Sequence, residues 1–331
     1  WQLFVVTPEQ LLGAEDAVTS WSSALTRALA EKPVGGLILF KQNIVSQSQT
    51  KSLLSDAQAS AAYGLLLSVD EEGGTVARVS GNPNMGYAAI PDMGDIGATG
   101  DTDEAYQVGL TLGRELTELG FNLDFAPVAD VDSNPNNPVI GDRAFGSDPA
   151  LVADMVAAAV EGFHQGGVLC TLKHFPGHGD TDTDSHEGFA LTNKTLDELW
   201  DCELLPFQAG IEAGADCVMV AHISAPNVTG GNTPASLSST LVDGLLRDEL
   251  GFDGLVITDA MDMGAITTAY TQGEAAVLAI KAGVDLLLKP EDMDEMYQAL
   301  LDAVKSGELS ESRIEESVRR VLRVKLENGA L

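Results

Sequence analysis

Basic residues are scarce in this 331-residue chain: 18 Lys and Arg stand against 50 Asp and Glu, giving a formal net charge of −32 with histidine neutral. A phosphate backbone binds through clustered Lys and Arg that displace its counterions. No such cluster is present, which excludes nucleic acid as a natural partner and disfavours anionic membrane surfaces. Cysteine is scarcer still. Cys170, Cys202 and Cys217 form no CxxC pair, and two of them sit inside apolar runs, so they read as small buried hydrophobes rather than a paired framework. No apolar run approaches the roughly 20 residues that span a bilayer, so no transmembrane segment is expected. No Pro/Ser-rich hinge or low-complexity tract divides the chain. It starts at Trp1, inside an apolar run and without an initiator Met. An upstream segment is therefore expected to have been removed, either an export signal or lipid anchor of an extracytoplasmic protein or the start of a cytoplasmic one.

With 44% of residues hydrophobic, the chain has eight short apolar runs, at 2–6, 36–40, 65–69, 122–125, 168–173, 217–221, 254–258 and 284–288. Near-continuous apolar runs of strand length suit parallel strands covered on both faces. Between them lie stretches with helical patterning at 16–30, 103–119, 149–165, 196–213, 237–250, 271–282 and 293–306, with a last helix at 310–327; Asp148-Pro149, a capping residue followed by proline, opens one of them. Eight alternating units in this length predict a (β/α)8 barrel occupying residues 1–331 as one domain. A doubly wound open sheet is the rival, but no GxGxxG follows the first strand.

A barrel places active groups at the carboxyl ends of its strands, where this sequence has Asp70, Asp124, Asp130, Lys173, His174, His222, Asp259 and Lys289. Charged side chains there are partly desolvated and call for a partner or a use. Asp259 closes the apolar run 254–258, and a fixed carboxylate at that point can attack or stabilise a developing glycosyl cation; as an alternative it caps the segment that follows. The segment 173–186, KHFPGHGDTDTDSH, gathers three of the five histidines and three aspartates into a Gly-rich loop. Glycosyl transfer needs a proton donor opposite the nucleophile, and Asp184 with His186 can supply it as a dyad, the carboxylate orienting the imidazole. Two other readings stay open: a solvated acidic loop, and metal ligation by His174, His178 and His186 with the aspartates, whose spacing fits no standard closed site. No metal or cofactor is expected on balance. In this reading Gly177, His178 and Gly179 form a flexible connection.

Five segments together resemble glycoside hydrolase family 3, in its β-N-acetylglucosaminidase branch. They are the loop 173–186, DEEGGTVAR at 70–78, NLDFAPVADV at 122–131, GDRAFG at 141–146 and TDAMDM at 258–263. The resemblance implies a retaining exo-β-N-acetylglucosaminidase acting on glycans such as peptidoglycan fragments. Asp259 matches the nucleophile, His186 the acid/base and Asp184 its partner. Asp70, Arg78, Arg143, Lys173 and His174 match substrate-binding positions, and Met219 and His222 line the same groove. Many β-glucosidases of the family draw their acid/base Glu from a second domain. Here the chain ends soon after the last predicted helix, so a donor on a barrel loop is expected. A neutral imidazole does not repel an anionic acceptor, which makes phosphorolysis beside hydrolysis a reading to test through sugar 1-phosphate formation. A non-catalytic sugar-binding barrel, glucosidase- or xylosidase-like specificity, and a metal-dependent hydrolase are the competing functions.

Overall fold

The computed structural model describes residues 1–182 and 190–331. Eight parallel strands follow one another around a barrel: β1 Phe4–Val6, β2 Gly36–Ile38, β3 Leu66–Val69, β4 Leu123–Asp124, β5 Thr171–Phe175, β6 Cys217–Val220, β7 Leu255–Ala260 and β8 Leu286–Leu288. Hydrogen-bonded neighbours run β4-β3-β2-β1-β8-β7-β6-β5, and parallel bridges Leu123↔Leu169 and Val128↔Lys173 join β4 to β5, so the ring closes. The (β/α)8 expectation holds, and all eight predicted runs become strands.

Within the strands, neighbouring side chains alternate between two apolar layers. Val5, Ile38, Met219, Ile257 and Leu286 fill the barrel, while Phe4, Leu37, Val218, Val256 and Leu287 face the outer helices. Both layers are apolar, which is why the runs read as continuous. The helix Thr102–Leu119 packs closely on Pro149–Gly166 because each carries glycines four apart. A Cβ on Gly109 would stand 2.3 Å from the Ala159 carbonyl oxygen, and one on Gly162 would stand 2.2 Å from that of Tyr106. Alanine at either position forces the helices apart.

Three stretches differ from expectation. The helix Gln47–Ser60 was not anticipated, because only Thr50, Leu53, Leu54 and Ala57 of it are buried and its remaining face is polar. The stretch 196–213 breaks into Leu196–Trp200 and Leu204–Glu212. The helix expected at 16–30 begins at Ser23, where the Ser22 hydroxyl accepts the Leu25 N–H, and is preceded by the short helix Pro8–Leu12.

The amino-terminal end of the barrel is plugged by the last helix, Glu311–Glu327, whose Val321 and Val324 enter the interior layer. Its Arg313 and Arg320 converge with Arg247 on Asp285, a fully buried carboxylate just before β8 that also accepts from the Ser317 hydroxyl at 2.6 Å. Beside them Lys325 is wholly buried and donates to Gln2 Oε1 at 2.8 Å and the Gly64 carbonyl at 2.9 Å. Burial pushes its ammonium down to about 7. An unfolded lysine holds its proton to about pH 10.4, so between those values the unfolded state binds more protons and stability rises with pH. Denaturant unfolding should show Lys325 contributing roughly 2 kcal/mol to that rise between about pH 7 and pH 9, and Lys325→Met should flatten the curve by that amount.

Candidate active site

The carboxyl ends of the strands enclose a 260 Å³ cavity lined by Asp70, Glu72, Arg78, Arg143, Lys173, His174, His178, Met219, Asp259, Asp262 and Lys289, among others. Two strand ends reach it through register slips. Along β7, Ile257 pairs with Leu286 but Ala260 with Leu288, so three steps on one strand match two on the other. The Thr258 hydroxyl fills the gap by accepting the Leu288 N–H at 3.1 Å. Along β5, Leu172 pairs with Val218 and Phe175 with Val220, the extra residue falling at Lys173-His174. A bulge re-aims side chains that strict alternation would send to opposite faces. Both bulges sit where the sequence carries its candidate chemistry.

Asp259 stands in the β7 bulge, half-buried, with Oδ1 accepting the Ala260 N–H at 2.7 Å. This bond fixes the carboxylate's orientation. Opposite it a charged network is built on Glu72, which is almost fully buried. Glu72 Oε1 lies 2.6 Å from Lys173 Nζ, and its two oxygens accept from Arg143 Nη2 at 2.7 Å and Nε at 2.8 Å. Burial alone would raise the Glu72 carboxyl, but the Lys173 and Arg143 cations override it and hold the group well below the usual carboxylate range. Lys173 also donates to Asp70 Oδ1 at 2.8 Å; burial opposes its charge, and the two carboxylates hold its proton more tightly than usual. Asp70 remains part-exposed at the cavity wall. Paired acceptor and donor groups of this kind suit vicinal sugar hydroxyls.

His174 is oriented from behind by Asp130, whose Oδ2 lies 2.6 Å from Nδ1; the Asp130 Oδ1 accepts the His174 and His178 backbone N–H groups. Burial would raise Asp130, but the two imidazoles lower it, so it stays an anion beneath the site. With Nδ1 facing a carboxylate, the His174 ring carries its proton there and turns Nε2 toward Arg143, 3.4 Å away. Arg78 lines the cavity too, and its buried Nε has no hydrogen-bond partner among the described residues. Met219, Ile38 and Leu288, the top of the interior layer, form an apolar floor. Polar walls over an apolar floor match a pyranose, whose hydroxyl edges and C–H faces differ in the same way.

Not every strand-end group reaches the cavity. His222 is fully buried and lies behind it, with Nδ1 2.7 Å from Ser236 Oγ and Nε2 3.0 Å from the carbonyl of Ala260, the neighbour of Asp259. Asp124 is buried below, where it accepts the Glu71 N–H at 2.9 Å; burial, with the nearby Glu71 charge, pushes it well above the usual range. Asp184 and His186 lie outside the described residues.

The expectation that 177–179 is a flexible connection is corrected. His178 is 1% exposed, and its Nδ1 lies 2.8 Å from Thr181 Oγ1. Asn137 donates to its carbonyl at 2.8 Å, and a Cβ on Gly179 would meet the Val131 carbonyl oxygen at 1.7 Å. These contacts clamp the segment against the loop after β4. Burial and the neighbouring His174 lower the His178 imidazole. Glycine and histidine in series suggested mobility; close packing is the other reason for glycine.

Glu72 had no assigned role in the sequence reading, because within DEEGG its carboxylate looks like its neighbours'. Only the fold separates them: Glu71 turns away to accept N–H groups of Arg78, Val79 and Ser80, while Glu72 turns inward. Removing one partner of a buried ionic group costs about 3–5 kcal/mol. Glu72→Ala leaves Lys173 with Asp70 and takes from Arg143 its carboxylate partner, leaving it the Val139 carbonyl, so denaturant unfolding should show a loss of that order. Glu72→Gln, which keeps the shape, should raise KM for a hydrolysed sugar proportionally more than it lowers kcat. An unchanged KM would mean that the network serves stability alone.

Residues 8–324 match the family model for the N-terminal domain of glycosyl hydrolase family 3. The chain is 36% identical to β-hexosaminidase A of Pseudoalteromonas piscicida, over 93% of its own length and 56% of that protein's. It is 40% identical to a β-hexosaminidase of Stenotrophomonas maltophilia, over 82% of its length and 81% of the relative's. Among solved structures, a family 3 β-N-acetylglucosaminidase from a Paenibacillus species superposes with a TM-score of 0.91 at 41% identity, covering 99% of this chain and 62% of the other. The chain thus spans little more than half of some relatives and most of others. With the barrel and its polar cavity, these matches place the chain in glycosyl hydrolase family 3, among the glycoside hydrolases of β-hexosaminidase type.

Proposed function

We propose that the chain is a retaining exo-β-N-acetylglucosaminidase, a single catalytic barrel that releases terminal N-acetylglucosamine from glycans such as peptidoglycan fragments. The observation that carries the reading is the position of Asp259: a carboxylate oriented by its own bulge faces a cavity whose opposite wall is the Asp70–Lys173–Glu72–Arg143 network. In this reading the network, with Arg78 and His174, grips the hydroxyls of one terminal sugar over Met219. Asp259 attacks the anomeric carbon as the leaving oxygen takes a proton from His186, oriented by Asp184. Carbon–oxygen bond cleavage transfers the sugar to Asp259 Oδ; water, deprotonated by His186, then displaces the carboxylate. Two inversions give net retention. The β-hexosaminidase relatives support the choice of N-acetylglucosamine.

Comparing kcat/KM for chromogenic β-N-acetylglucosaminide, β-glucoside and β-xyloside tests the specificity. The N-acetylglucosaminide should be preferred by at least about tenfold, equivalent to 1.4 kcal/mol in the transition state. A preference for either of the others rejects the assigned sugar. Absence of turnover on all three leaves the sugar-binding reading in its place.

A further inference from the structure

We infer that the amino-terminal end of the barrel carries a second site, in which His164, Cys170 and Asp216 bind a divalent cation of the zinc class. The three come from separate elements. His164 is in the last turn of the helix Pro149–Gly166, Cys170 immediately precedes β5, and Asp216 immediately precedes β6. Their donor atoms converge all the same. His164 Nε2 is 2.8 Å from Asp216 Oδ2 and 3.9 Å from Cys170 Sγ, and all three donors lie within 4.8 Å of one another. A tetrahedral ion with bonds of about 2.0 Å to nitrogen and oxygen and about 2.3 Å to sulfur sets its donors roughly 3.3–3.5 Å apart. The two separations from His164 Nε2, 2.8 and 3.9 Å, fall on either side of that spacing, and each differs from it by about half an ångström.

The donor set points to the class of ion. Imidazole, thiolate and carboxylate together suit zinc-like cations, whereas magnesium and calcium take oxygen ligands. The carboxylate is already held in place, since Asp216 Oδ2 accepts the Cys170 backbone N–H at 3.0 Å. Access is one-sided. Cys170 is fully buried, while the His164 and Asp216 side chains are 36% and 22% exposed, leaving the solvent side for a fourth ligand, water. An ion pair between His164 and Asp216 does not by itself require a thiol at this distance from the same nitrogen. On binding, the ion takes the place of the proton between Nε2 and Oδ2. A neutral ring moves that proton to Nδ1, an imidazolium releases one to solvent, and the thiol releases another as the metal–sulfur bond forms. The site lies at the opposite end of the barrel from Asp259 and ties β5 and β6 to a helix, so its predicted effect is on stability, with turnover unchanged.

Titration of the reduced, chelator-treated protein with cobalt(II) tests this. The expected result is one equivalent bound with a sulfur-to-cobalt charge-transfer absorption in the near ultraviolet, bleached by added zinc, and a melting temperature raised by zinc. The band should be lost in Cys170→Ser and kept in Cys202→Ser. His164→Gln, at an exposed position that folding tolerates even if Cys170→Ser does not, should weaken cobalt binding by at least about tenfold. No charge-transfer band in the folded wild type, a band that survives Cys170→Ser, loss of the band in Cys202→Ser, or unchanged affinity in His164→Gln would each overturn the assignment. Binding to the catalytic cavity cannot imitate the result, because no cysteine lines it.

Discussion

Replacing Asp259 by alanine is expected to lower kcat/KM for a chromogenic N-acetylglucosaminide by about 10⁴-fold or more, the scale seen when a covalent nucleophile is removed. Stability should change little. Asp259 is half-buried at the cavity, and its Oδ1 accepts the backbone N–H of its own neighbour, Ala260. The variant also leaves space beside the anomeric carbon. Added azide should enter it and restore turnover with an activated substrate, forming the glycosyl azide of inverted, α configuration, since only one displacement then occurs. A mechanism-based fluoro-sugar inactivator should add its glycosyl mass to the wild-type peptide containing Asp259 and leave Asp259→Ala unlabelled. Retained activity within about tenfold of wild type, or a label on another peptide, would remove Asp259 from the nucleophile role.

The barrel was legible because its determinants are local. Eight runs of Val, Ile, Leu and Phe announce strands buried on both faces, and the helical stretches between them leave few other topologies. Asp70, Lys173, His174 and Asp259 were legible for the same reason, as charges at the ends of apolar runs, and all four line one cavity. What could not be read depends on register and on contacts distant in sequence. That both Lys173 and His174 face the mouth follows from a slip against β6, and no property of β5 alone encodes it. The separation of Glu71 from Glu72 needs the hairpin that brings Arg78, Val79 and Ser80 back to Glu71 and the loop that brings Arg143 to Glu72. Asp130, 44 residues before His174, reads in the sequence as a strand-end charge, but its part as the shared acceptor for His174 and His178 appears only when β4 and β5 close the ring. His222 shows the converse. Its position after β6 suggested the groove; its ring meets Ser236 and the Ala260 carbonyl, contacts that tie it to the backbone beside Asp259 and that its place in the sequence does not announce.

Replacing His186 by alanine is expected to produce a second large loss, and its dependence on the leaving group distinguishes an acid/base from a binding residue. A proton donor contributes about 10²–10⁴-fold when the departing oxygen is basic and little when it leaves unaided. For natural oligosaccharides or alkyl glycosides, kcat/KM should therefore fall within that range. For a dinitrophenyl N-acetylglucosaminide, cleavage of the glycosidic bond should be nearly unaffected, while hydrolysis of the glycosyl-Asp259 intermediate, which still needs a base, becomes slow. The two steps then separate: a burst of dinitrophenol should precede a slow steady state, and both kcat and KM should drop. Azide needs no base, so it should raise the steady-state rate and yield the β-glycosyl azide, the opposite anomer to that expected from Asp259→Ala. Asp184→Asn should move in the same direction by a smaller factor, because it removes the orienting charge and leaves the imidazole. The described residues on either side of the segment are anchored: Asn134 donates to the Asp180 and Thr181 carbonyls, and Ala190 pairs with Ile223. With both flanks fixed in this way, lengthening 183–189 by two glycines should cost activity on alkyl glycosides while sparing the dinitrophenyl substrate. Equal losses on both substrates in His186→Ala, with no burst and no azide product, would make His186 a binding group and leave the proton donor to be found elsewhere.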